Sequence, residues 1–90
     1  MAIFQGLVDA QGHVIRRRGQ FQVAHSAGGH WTIRFPGYNV QKAFVLFTPW
    51  APNNDTGNPC ITVFVDSPGT DTLGLYMGTG VAGFSFRVET

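Results

Sequence analysis

The chain has 90 residues, 43% of them hydrophobic and only 12% charged, and six Lys and Arg against five Asp and Glu leave a formal net charge of +1. So near a balance argues against nucleic acid or an anionic membrane as the main partner, and no run approaches the roughly 20 apolar residues of a membrane span. A lone cysteine, Cys60, supplies no internal disulfide.

A domain this small buries only about 60% of its unfolded surface. Eight Phe, two Tyr and two Trp therefore carry more apolar area than one short chain hides well, which favours association of identical copies. Cys60 reads as a buried, reduced thiol, because a bridge between chains would leave one thiol unpaired in a threefold assembly. The start, Met1 to Gly6, has no basic segment followed by a long apolar one, so no signal peptide is expected.

Glycines at 6, 12, 19, 28 and 29 cut the first 35 residues into short runs, and between them apolar residues recur with period two, as in Trp31-x-Ile33-x-Phe35. Eight strands are predicted, near 3–8, 13–18, 20–25, 30–35, 42–48, 60–66, 72–77 and 83–89. Asp9 to Gly12 reads as a tight hairpin turn with Gly12 at positive φ, and Ala27 to Gly29 as another. The longest stretch free of Gly and Pro, Tyr38 to Thr48, matches a helical template at Val40, Ala43, Phe44 and Phe47. A strand is preferred there because Phe44 to Thr48 is β-branched and aromatic and Pro49 follows. Strands 42–48 and 60–66 are apolar on both faces, which places them between two layers or against a neighbouring subunit. The last strand alternates cleanly, with Phe84, Phe86 and Val88 on one face and Ser85, Arg87 and Glu89 on the other. The fold class expected is an all-β, antiparallel β-sandwich of about eight short strands in a single domain, 1–90.

Catalytic constellations are weak. Asp55-Thr56-Gly57 is the aspartic protease triplet, but Pro52-Asn53-Asn54 precede it where an apolar strand should stand, so a polar turn is the better reading. His13, His25 and His30 lack a His-x-His pair or a nearby cysteine and read as surface histidines rather than metal ligands. His25-Ser26 has no nucleophile elbow. Asp66 to Asp71 is an acidic turn, with Ca²⁺ as an alternative to plain turn chemistry. Asn54-Asp55-Thr56 is formally a glycosylation sequon. Arg16-Arg17-Arg18 reads as a charged edge strand, Arg16 and Arg18 on one face and Arg17 on the other, with an anion contact helped by Phe21 as the functional alternative. Gly83 to Val88 has the look of the aromatic strand of RNA-binding modules, but both rings share the face of Val88, which is a core face. Trp50, Asn53, Asn54 and Asp55 are the candidate ligand-binding residues. A ring that stacks on the C–H face of a sugar, with amides and a carboxylate for its hydroxyls, falls there within six residues.

Three stretches, Gly6 to Arg16, Gly19 to Val23 and Gly29 to Phe35, resemble small trimeric β-sandwich modules at the tips of phage tail fibres and of bacterial fibre-like or collagen-like surface proteins. Gly83 to Val88 is similar to their closing strand, and the general plan is similar to trimeric H-type lectins. The likeness covers the front third and the last strand; between Pro36 and Met77 there is no family motif, and no binding residue is carried over. It implies a homotrimer at the end of a longer fibre, on a virion or extracellular surface, that recognises a host or cell-surface glycan. The expectation is thus a non-catalytic receptor-binding or fibre-tip domain with no cofactor, no metal, no nucleic acid and no membrane insertion. The alternatives are a capping trimerisation module without ligand and a small β-barrel for single-stranded nucleic acid.

Overall fold

A computed structural model describes residues 1–26, 29–50, 60–65, 69–78 and 81–90. Eight strands run in chain order: β1 (Ile3–Asp9), β2 (Val14–Arg18), β3 (Gln22–His25), β4 (His30–Arg34), β5 (Phe44–Trp50), β6 (Ile61–Val65), β7 (Thr72–Met77) and β8 (Gly83–Glu89). They form two four-stranded sheets, β2-β1-β8-β5 and β3-β4-β7-β6, and every pairing is antiparallel. The two sheets face each other as a β-sandwich.

Alternation builds the core. Phe4 and Val8 of β1 and Phe84, Phe86 and Val88 of β8 meet Trp31 and Ile33 of β4 and Leu73 and Leu75 of β7, all buried. Ring contacts join the layers edge to face: Phe21 to Phe86 at 5.0 Å, Trp31 to Phe84 at 5.8 Å and Phe4 to Phe35 at 4.8 Å between centroids. Space for these rings is made on β1, where a Cβ at Gly6 would stand 2.5 Å from the Phe86 ring. Phe35 and Val40 close one end of the sandwich; their N–H groups donate to the carbonyls of Asp71 and Thr70 at 2.7 and 2.8 Å.

The Asp9 to Gly12 turn is present as expected. Gly12 has φ of 90° and donates its N–H to the Asp9 carbonyl. Across β1 and β2 the register slips after Leu7, which pairs with Arg16, whereas Val8 pairs with Val14. Ile15 is left over and exposed. At the opposite pole the two ends of the described chain lie side by side, with the Thr90 N–H donating to the Ala2 carbonyl at 3.0 Å and the Ala2 N–H to Thr90 Oγ1 at 3.2 Å.

Three expectations need correction. Strand β5 begins two residues later than predicted, because the Ala43 N–H closes a turn onto the Val40 carbonyl, and it continues through Pro49 to Trp50. A proline is accommodated because β5 is an edge strand, bonded only to β8. Neither β5 nor β6 lies between two layers within the chain: both are edge strands, and while Val45 and Phe47 pack on the core, Phe44 and Leu46 are 58% and 55% exposed. Cys60 is exposed, immediately before edge strand β6, with its carbonyl accepting the Gly78 N–H.

Truncation of Phe86 removes contacts with Phe21, Phe35 and Phe47 together. Phe86→Ala should lower stability by about 3–5 kcal/mol, most of what a small domain has, as read by urea denaturation. Gly83 has φ of 146° and a Cβ there would stand 2.5 Å from the Val8 carbonyl oxygen. Gly83→Ala should therefore cost about 1–3 kcal/mol although it adds only a methyl group.

Candidate functional site

The candidate site is the outer face of the β2-β1-β8-β5 sheet. Pairing places its side chains in rows across the strands: Arg18, Gln5, Arg87 and Leu46 in one, and Arg16, Leu7, Ser85 and Thr48 in the next. Beyond these, Trp50 stands opposite Gly83. Over these rows lies an open groove of about 720 Å³, with Arg16 and Arg18 on the β2 side and Leu46, Thr48 and Trp50 along β5.

The arginine triplet divides as its alternation predicts. Arg17 turns towards the core edge, its guanidinium 4.5 Å from the Phe21 ring centroid and its Nη1 donating to the Phe21 carbonyl at 3.2 Å. Arg16 and Arg18 are exposed on the groove side of an edge strand. Arg87 completes the wall; its Nη2 donates to Glu89 Oε1 at 3.2 Å. Sequence reasoning placed Arg87 on the wet face of β8 but did not join it to Arg16 and Arg18. The missing signal was strand order, since β1 bridges β2 and β8.

Of the predicted ligand residues, Trp50 is half exposed, at 53%, and lines the groove as the last residue of β5 rather than a loop residue. Asn53, Asn54 and Asp55 lie outside the described residues, as do the Asp55-Thr56-Gly57 triplet, the sequon and Asp66.

The three histidines do not converge. His13 Nδ1 sits 3.2 Å from Asp9 Oδ2. His25 is paired with Trp31 and stacks on it at 4.0 Å, whereas His30 lies on the other face of the same sheet, stacked on Tyr76 and Phe64 at 5.1 and 5.8 Å. Among the described residues no three His, Cys, Asp or Glu side chains form a group able to hold a metal ion. Phe84 and Phe86 are buried and offer no platform for bases. No helix of the described chain is long and apolar enough to cross a membrane.

Each described acidic side chain has a basic partner. Asp9 accepts the backbone N–H groups of His13 and Gln11 on Oδ1, at 2.8 and 3.0 Å. The His13 N–H is the main reason its carboxyl lies below the ordinary aspartate range, against a smaller opposing effect of burial. Asp71 accepts Arg34 Nε at 2.9 Å, and that bond holds its carboxyl below the usual value. Comparison with family models, curated proteins and solved structures finds no match to this chain.

Because both carboxyls are depressed in the folded chain, their contribution is complete above the ordinary aspartate value of about 3.9 and is lost as pH falls through the lower folded values. Asp71→Asn should lower the Tm at neutral pH, with the difference from the parent shrinking to nothing in strong acid. A difference that persists there would mean the residue acts by packing instead.

Proposed function

We propose that this chain is a non-catalytic, homotrimeric receptor-binding or fibre-tip domain of a phage tail fibre or similar surface fibre, which recognises a host or cell-surface glycan beside Trp50. The observation that carries this reading is the outer side of β5, where Phe44, Leu46 and Trp50 are each more than half exposed on one strand. Nothing in the described chain covers Phe44 and Leu46. Both sheets end at this side of the sandwich, where β5 and β6 approach, so a neighbouring copy has an apolar margin to close.

Burial of a few hundred Å² of apolar area per subunit contributes roughly several kcal/mol at about 25 cal/mol per Å². That is comparable with the whole stability of a small domain. Three copies also raise the effective concentration of a weak sugar site, which suits shallow stacking on a single ring. The likeness of the front third and last strand to fibre-tip modules supports the same reading, with a virion or extracellular surface as its setting.

Sedimentation of the purified chain at micromolar concentration should give the mass of a trimer. Phe44→Ser with Leu46→Ser should shift it to monomer while the β-sheet circular dichroism is retained. A monomeric parent chain would remove the reading, and a stable trimer that binds nothing on a glycan array would leave a capping module in its place.

A further inference from the structure

The groove beside Trp50 is not neutral. Arg16, Arg18 and Arg87 stand along it, and Arg18 and Arg87 flank Gln5 from the two neighbouring strands. Strands lie about 4.8 Å apart, so the backbones that carry these two guanidinium groups are about 10 Å apart, a span that side chains of this length close around one anionic group. Arg87 is shared with Glu89, whereas Arg16 and Arg18 form no ion pair among the described residues. At the other end Trp50 offers a half-exposed ring, and Gln5 and Ser85 supply an amide and a hydroxyl between.

We propose that this groove binds an acidic saccharide, its carboxylate or sulfate held by Arg16, Arg18 and Arg87 and an adjoining sugar ring laid on Trp50. The inference rests on the glycan-binding reading above and names the class of glycan. Charge-assisted bonds from guanidinium to a planar carboxylate are the strong polar contacts available here, and ring stacking fixes the neighbouring residue of the chain. A volume of about 720 Å³ falls within the range of small-ligand sites.

Other occupants fit less well. Single-stranded nucleic acid is held by a series of stacked bases, yet the groove offers one indole, and Phe84 and Phe86 are in the core. A second copy of this chain would have to meet Arg16 and Arg18 with acids, and the described ones, Asp9, Asp71 and Glu89, are already engaged. Association through Phe44, Leu46 and the β6 edge would cover the Leu46 corner of the groove and leave its β2 side, with Arg16 and Arg18, open.

The test uses the full chain in its native assembly state on an array of matched neutral and acidic oligosaccharides, with oligogalacturonate and sulfated heparin fragments as the acidic probes. Acidic probes should bind and their neutral counterparts should not, and the binding should weaken as salt rises. Arg16→Gln with Arg18→Gln should cost about tenfold or more in affinity with the mass in solution unchanged, and Trp50→Ala should weaken binding at any salt. Neutral glycans bound as well as acidic ones would overturn the inference and leave the glycan-binding reading intact. Silence across the whole array would end both. Tighter capture of an oligothymidylate than of any acidic saccharide would give the groove to nucleic acid instead.

Discussion

The packing of aromatic rings between the two sheets is the constraint on which the rest of this molecule depends. Strand β8 sits inside its sheet with β1 and β5 on either side, and its Phe84 and Phe86 reach across to Trp31, Phe21 and Phe35. Ninety residues supply few other means of closure: there is no internal disulfide, and the ion pairs are at the surface, where such pairs contribute little. Gly6 belongs to the same arrangement, since the Phe86 ring occupies the space a side chain there would need. The rings that fill the interior also fix which residues cannot be there. With Phe84 and Phe86 inward, Ser85 and Arg87 must face out, and the groove inherits its chemistry from the register of the core.

Much of this was legible in the sequence, and the reason is local. The period-two runs of β1, β4 and β8 identify both the strand and its buried face, and Gly12 marks the turn that its positive φ requires. What the sequence withheld is order across the sheet. Arg16 and Arg87 are 71 positions apart and share a groove only because β1 pairs with both of their strands. The same blindness explains β5 and β6. Apolar residues on both faces mark a strand in need of cover, but they do not tell a central strand from an edge strand whose second face is open. The expected strand ends at residue 48, just before Pro49, although a strand bonded on one side only can run through a proline. Cys60 was assigned to the interior by its residue type, whereas the flank of an edge strand left it outside.

Two demands therefore meet on one sheet face. The β5 margin is apolar, where the proposed contact lies, while the β2 and β8 positions carry Arg16, Arg18 and Arg87, where the proposed anion would sit. Arg16 and Arg18 also place charge on the free edge of β2, a common protection of an edge strand against pairing. The proposed contact lies along β5 and the proposed ligand site extends towards β2, with Leu46 and Trp50 of β5 bordering both.

The hydrogen bonds between Ala2 and Thr90 give the domain a polarity. Ile3, Glu89 and Phe44 lie level with one another at that pole, and Asp9, Gly83 and Trp50 lie level at the other, about 20 Å away at roughly 3.3 Å of rise per residue. Polypeptide attached at either terminus would thus leave from a common base, and the indole would occupy the summit. Joining residue 90 back to residue 1 by a short linker, and opening the ring elsewhere, should consequently disturb neither the interior nor the summit.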